Sequence, residues 1–188
     1  MRIVGGEWRG RALAGLGKGD PSAHLRPTTD RVRESLFNIL EHGAIDDPIT
    51  DARVLDVFAG TGALGLEALS RGAEHATFIE NGRIGARLIT DNIDRTGAGS
   101  RAQLIRRDAT RPGPPTGAPH DLVFLDPPYG SGLGQKALAA LSAEGWLAPG
   151  ALIVWEDAAP QPAPQGFKPL DQRKFGQTHV TFLKAPAP

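Results

Sequence analysis

Asp126-Pro127-Pro128-Tyr129 follows directly on the apolar run Leu122-Val123-Phe124-Leu125, and these residue types in this order suit the methylation of a planar amino group. The lone pair of an exocyclic nucleobase amine is delocalised into the ring or carbonyl, so its nitrogen is a poor nucleophile. A catalyst needs a carboxylate and a backbone carbonyl to accept the two N–H bonds, and an aromatic face to hold the base in plane. Asp126 offers the carboxylate, Pro127 the carbonyl, Pro128 a stiff turn and Tyr129 a stacking platform. The same residues followed by Gly130 also suit the plain end of a strand, since proline cannot continue a ladder and glycine permits a turn.

A second motif lies upstream. Val54-Leu55-Asp56-Val57-Phe58 runs into Ala59-Gly60-Thr61-Gly62-Ala63-Leu64-Gly65, a short strand followed by G-x-G-x-x-G at the start of a helical pattern. The glycines let backbone approach a ligand closely and turn tightly into a helix. Glu80 closes the next apolar run, Ala76-Thr77-Phe78-Ile79, about 20 residues past the first glycine, where a ribose-binding carboxylate is expected. A nucleoside cofactor is implied, and charge selects among the candidates. A dinucleotide places its pyrophosphate at the helix N-terminus, but Asp56 at the end of the feeding strand would repel phosphate and attract an ammonium group. S-adenosylmethionine carries an ammonium, a sulfonium and no phosphate, and so fits better than NAD.

These residues must be positioned by alternating strands and helices, a pattern that predicts an α/β fold with a mostly parallel sheet covered on both faces. Strands are expected near Arg53 to Phe58, His75 to Glu80, Arg101 to Arg107, Asp121 to Asp126 and Leu152 to Trp155. Helical patterns run near Ala63 to Ser70, Gly82 to Thr96 and Gln135 to Ala143. Phe167 to Lys174 and Val180 to Leu183, separated by Phe175-Gly176-Gln177-Thr178, read as a terminal antiparallel hairpin. The Pro-rich segments 112–119 and 160–164 are expected to be loops. Ligands of such a sheet bind beyond the carboxyl ends of its strands. Asp56, Glu80, Asp108 and Asp126 fall at four successive ends, which packing alone does not explain. Asp108, followed by Ala109, is placed either to accept from an adenine amino group or to cap a turn.

At 188 residues the chain suffices for one α/β domain with a small appendage. It has no cysteine, which excludes disulfides and thiolate chemistry and suits a reducing compartment. His24, His42, His75, His120 and His179 have no metal-ligand spacing, so no metal is expected. Neither a membrane-spanning run nor a signal peptide is visible, and the expectation is a soluble cytoplasmic monomer. Net charge is zero, yet residues 1–40 hold seven Lys/Arg against four Asp/Glu and residues 161–188 hold four against one. A basic, glycine-rich N-terminal segment suits phosphate contact. Within it, the block from Arg26-Pro27-Thr28-Thr29-Asp30-Arg31-Val32-Arg33 to Leu40 opens on capping residues. Val32, Leu36, Ile39 and Leu40 then fall at helical spacing, leaving Arg31 and Arg33 off the apolar stripe, free to face a ligand.

The segment Arg2 to Arg11, the Arg26 to Asn38 block, the stretch from Asp56 to Ala73 and the Asp126-Pro-Pro-Tyr motif together resemble the bacterial 16S ribosomal RNA guanine-N2 methyltransferases that modify guanine 966. The resemblance runs from Arg2 to about Leu183. The glycine and Asp-Pro-Pro-Tyr motifs are shared with other amino-methyltransferases; the two N-terminal blocks select this family. It implies a Rossmann-like, seven-stranded, S-adenosylmethionine-dependent methyltransferase domain over residues 43–188, with an RNA-gripping extension, hairpin-like segment plus helix, over residues 1–42. It also implies 16S rRNA, within the small ribosomal subunit or an assembly intermediate, as partner. On this reading Asp126, Pro127, Pro128 and Tyr129 are catalytic. Asp56, Phe58, Gly60, Thr61, Gly62, Gly65, Glu80, Asp108 and Ala109 hold the cofactor, and Arg9, Arg11, Arg26, Thr28, Arg31 and Arg33 meet RNA. The chain departs from the family at Gly82, where a second acidic residue is common. The alternatives are a DNA adenine-N6 methyltransferase, against which the lack of a target-recognition domain counts, and a non-catalytic ribosome-assembly factor.

Overall fold

A computed structural model describes residues 1–15, 29–43 and 47–187. Seven strands form one sheet: β1 (Arg53–Val57), β2 (His75–Ile79), β3 (Ala102–Ile105), β4 (His120–Leu125), β5 (Leu147–Asp157), β6 (Lys168–Phe175) and β7 (Thr178–Lys184). Their order is β3-β2-β1-β4-β5-β7-β6. The first five are parallel, and β7 runs antiparallel to both its neighbours. This is the Rossmann-like methyltransferase arrangement. The central strands are apolar throughout because helices cover both faces: Val54, Leu55 and Val57, and Leu122 to Leu125, have no exposed surface. The helices are α1 (Asp30–His42), α2 (Ala63–Ser70), α3 (Arg83–Thr96) and α4 (Leu133–Ala143). None among the described residues is long and apolar enough to cross a membrane.

The two faces bury separate cores. One collects Val54, Phe78, Phe124, Val154 and Phe182 under Leu66 and Leu69 of α2, Ile89 of α3, and Leu36, Phe37 and Leu40 of α1. The other packs Leu55, Val57, Val123, Leu125, Ile153 and Trp155 against Ala137, Leu138 and Leu141 of α4. The order of strands reverses between β1 and β4, and such a switch point opens a crevice at the strands' carboxyl ends.

Residues 1–15 form a hairpin joined by an Arg2–Ala12 bridge, with Ile3 N–H donating to the Arg11 carbonyl at 2.9 Å and Gly10 N–H to the Ile3 carbonyl at 2.8 Å. Ile3, Trp8 and Leu13 sink into the same core as α1 and α2. Residues 1–15 and α1 therefore share their core with the sheet.

Some expected boundaries move. β5 starts five residues before Leu152, because an irregularity opposite β4 between His120 and Leu122 absorbs Pro149-Gly150. β3 stops at Ile105, two residues before the predicted end, so Asp108 lies in the loop beyond it.

Candidate active site

Asp56 and Asp126 flank the switch point. Asp56 is the fourth residue of β1 and is 1% exposed; Asp126 follows β4 directly, its N–H donating to the Val57 carbonyl of β1 at 3.3 Å. Glu156 and Asp157, at the end of β5, are 2% and 6% exposed. Because Leu125 pairs with Trp155, Asp126 and Glu156 succeed one another across the β4–β5 ladder. Burial, then the carboxylates of Glu156, Asp56 and Asp157, push the Asp126 carboxyl well above its ordinary range. Burial also raises Asp56, against the opposing Gly65 N–H bond and with the help of Glu156 and Glu80, to about 8. Confined carboxylates that would repel each other if all ionised attract cations and hold protons.

The glycine loop is built around two of these acids. Asp56 Oδ2 accepts the Gly65 N–H of the first turn of α2 at 2.9 Å. Glu80 accepts the Gly60 N–H through Oε2 at 2.9 Å and the Gly82 N–H through Oε1 at 2.6 Å. Phe58, Gly60 and Gly62 have φ of 58°, 57° and 74°. A phenylalanine held in the left-handed region costs energy that such loops carry where backbone must face a ligand. Gly65 closes the packing, since a Cβ there would lie 2.5 Å from Phe78 Cε1. A Cβ on Gly85 would lie 2.9 Å from Glu80 Cδ and 3.0 Å from the Gly60 carbonyl oxygen, so α3 approaches the Glu80 cradle as closely as backbone permits. Gly82 gives its N–H to Glu80. Thr61 is buried and its carbonyl accepts from Asn92 Nδ2 at 2.9 Å. Ala109 is buried. Asp108 is exposed and takes both the Thr110 N–H and hydroxyl at 2.8 Å, which lowers its pKa; it caps the turn it begins.

The Asp126–Gly130 loop is fixed from three directions. Pro128's carbonyl is taken by the Ser131 N–H at 3.3 Å and hydroxyl at 2.5 Å. Gly130 N–H donates to Asp157 Oδ1 at 3.3 Å. Tyr129's hydroxyl meets Thr178 Oγ1 at 3.1 Å, leaving its ring partly exposed.

The expected RNA contacts divide. Arg9, Arg11 and Arg31 are exposed, and Arg11 Nη1 also donates to the Thr96 carbonyl at the end of α3 at 2.6 Å. Arg26 and Thr28 lie outside the described residues. Arg33 does not face a ligand: it is 0% exposed, with Nε 3.3 Å from Glu67 and Nη2 3.0 Å from Asp30. Phe37 joins the apolar stripe and turns the buried face of α1 onto Arg33, and the wholly buried Glu67 neutralises it. Sequence reasoning missed Glu67, Asn92, Glu156 and Asp157. Glu156 alone had a signal, since it ends the fifth apolar run as Asp126 ends the fourth.

Among the described residues no cluster of His, Asp or Glu could hold a metal ion. A cavity of about 550 Å³ lined by Asp47, Asp51, Asp121 and Lys184 lies at the opposite, amino end of the strands, away from these acids.

Residues 1–184 match a family described as conserved hypothetical protein 95. Ribosomal RNA small subunit methyltransferase D of Escherichia coli (strain K12) is 46% identical over 156 residues, covering 83% of this chain and 74% of that protein. Its Haemophilus influenzae namesake is 38% identical over 181 residues, covering 94% and 89%. The solved structure of yhhF from Escherichia coli has a TM-score of 0.81 and 39% identity, covering 100% of this chain and 99% of that one. The chain belongs to the conserved hypothetical protein 95 family and stands among the relatives of ribosomal RNA small subunit methyltransferase D.

Proposed function

We propose that this protein methylates the exocyclic N2 amine of a guanine in the 16S rRNA of the small ribosomal subunit, with S-adenosylmethionine as donor. The observation that carries the reading is the placement of Asp126, Pro127 and Tyr129 beside Asp56 at the switch point, in a chain whose relatives methylate small-subunit rRNA. Asp56 would hold the donor's ammonium, Glu80 its ribose hydroxyls, and the Phe58–Gly62 loop would present backbone. The close approach of Gly85 to Glu80 and Gly60 is what a nucleoside cradle without room for a side chain requires. When bound, the donor supplies an electrophilic methyl on a sulfonium that leaves as a neutral thioether, so no metal activation is needed.

The chain's own residues do the rest. A paired guanine cannot present its N2, so the base is unstacked and laid against Tyr129. Asp126 and the Pro127 carbonyl accept the two N–H bonds, localise the lone pair and aim it; proximity and orientation supply most of the acceleration. As the N–C bond forms and the S–C bond breaks, positive charge develops on N2. One N–H proton must then leave, and Asp126 is the acceptor placed to take it. Residues 1–42 serve as the RNA-gripping extension, with Arg9 and Arg31 as exposed contacts.

The test is methyl transfer from labelled S-adenosylmethionine to small subunits of a strain lacking the protein, with the product nucleoside mapped by digestion and mass spectrometry. N2-methylguanosine at one 16S site is the expected result. N6-methyladenine in duplex DNA would replace the reading with the DNA enzyme, and binding without transfer would replace it with an assembly factor.

A further inference from the structure

The β6–β7 turn stands beside the Asp126–Gly130 loop. Thr178, the first residue of β7, holds the Tyr129 hydroxyl. Asp157, which anchors Gly130, pairs with His179 on β7. On β6, Lys174 lies opposite His179 and Phe175 opposite Thr178, so only Gly176 and Gln177 separate the strands, with Gly176 at φ 61°. The register therefore carries Arg173, Lys174 and Gln177 to the site end of the sheet, and all three are exposed. Among the described residues no carboxylate lies within ion-pair reach of Lys174. Among the described residues Arg173 pairs with Asp171, at 2.8 Å, with both side chains more than two-fifths exposed, a pairing that contributes little and can be exchanged for another anion.

The rest of the C-terminal basic excess lies elsewhere. Lys168 pairs with Lys184, which pairs with Leu152, at the opposite end of the strands and about 20 Å from Lys174 at the usual rise per residue. An unstacked base has backbone on both sides, and its position is defined only if phosphates are held near the pocket. The start of α1 supplies one such place. Arg33 near its beginning pairs with Glu67, and Glu41 near its end with Arg71 just past α2, so α1 runs away from the glycine loop as α2 does and presents Arg31 toward the site end.

We propose that the β6–β7 turn is a second RNA contact, with Lys174 and Arg173, which alternate to opposite faces of β6, engaging separate phosphates of the strand that flanks the target base on the Tyr129 side and Gln177 hydrogen-bonding the adjoining sugar or phosphate. This rests on the RNA-methylation reading. Binding of a 16S rRNA fragment tests it, measured across a salt series for the wild-type protein, Lys174→Ala and Lys168→Ala, with methyl transfer read separately. Loss of one single-strand phosphate contact lowers the slope of log K against log salt by about 0.7, which is about a fivefold weaker Kd near 0.1 M salt. Lys174→Ala should show both changes, with the dissociation constant for S-adenosylmethionine unaltered. Lys168→Ala, with the same loss of charge, should match wild type. A wild-type slope in Lys174→Ala, or equal losses in the two variants, overturns the proposal. A wild-type protein that binds the fragment but transfers no methyl overturns the methylation reading and leaves the turn's contribution to binding still measured.

Discussion

Arg33 on α1 and Glu67 on α2 form an ion pair of 3.3 Å in which neither side chain has exposed surface. Glu67 also accepts the N–H groups of Val4 and Gly5 at 2.9 and 2.8 Å and Arg71 Nε at 2.9 Å, and Arg33 donates to the Arg2 carbonyl. One carboxylate thus joins the N-terminal hairpin, α1 and α2. Removing one partner of such a pair leaves an uncompensated buried charge and costs about 3–5 kcal/mol. Glu67→Ala should therefore lose stability of that size in urea unfolding at neutral pH. A loss below about 1 kcal/mol would mean that the hairpin is held by its apolar contacts alone.

Asp126 carries the reaction in the mechanism above but lies outside the glycine loop. Asp126→Ala should slow single-turnover methyl transfer by about 10²–10⁴-fold, the range for a positioned acid–base group. The dissociation constant for S-adenosylmethionine, measured by calorimetry, should stay within about twofold of wild type. Full transfer activity in this variant would remove Asp126 from the chemistry.

The sheet and the acids at its strand ends were legible because period and composition reach that far: an apolar run, a turn residue and a carboxylate recur at β1, β2 and β4. The role of Arg33 was not legible. Its spacing placed it off a stripe drawn from Val32, Leu36, Ile39 and Leu40, and nothing local announces that a glutamate 34 residues later is buried against it. Asn92 was hidden for the same reason: a polar residue inside a helix reads as solvent-facing unless its partners, the carbonyls of Thr61 and Ala14 and the Ala14 N–H, are already in view. β5 was read short because Pro149-Gly150 signals a break, whereas here the partner strand shifts register around it.

Gly85 was not singled out by sequence either, yet its neighbours are Glu80 and Gly60 of the proposed cofactor cradle. A methyl there would sit 2.9 Å from Glu80 Cγ and Cδ, and α3 cannot retreat without disturbing Ile89 in the core. Gly85→Ala should displace the Glu80 carboxylate from the Gly60 N–H and weaken S-adenosylmethionine binding by about tenfold, the loss of one charge-assisted hydrogen bond of about 1.5 kcal/mol. Kd for the RNA fragment should not change. Equal loss of both affinities in calorimetry and filter binding would point to general misfolding.

Asp56 gives the site a proton to release. With its carboxyl at about 8 and not near 3.8, it is mostly protonated at pH 7 in the free protein, and an ammonium placed against it favours the charged form. Binding of S-adenosylmethionine at pH 7 should therefore expel close to one proton, seen as a binding enthalpy that varies with the ionisation enthalpy of the buffer; Asp56→Asn, which keeps an acceptor for the Gly65 N–H, should abolish that variation. The stability linkage has the matching sign. A carboxyl raised in the folded state contributes stability that is full below its unfolded pKa and is lost as pH rises toward the folded value. Wild type should thus lose stability relative to Asp56→Asn between about pH 4 and pH 8 and no further above it, in unfolding titrations across that window. A difference that stays constant from pH 4 to pH 9 would show that Asp56 is already ionised in the free protein.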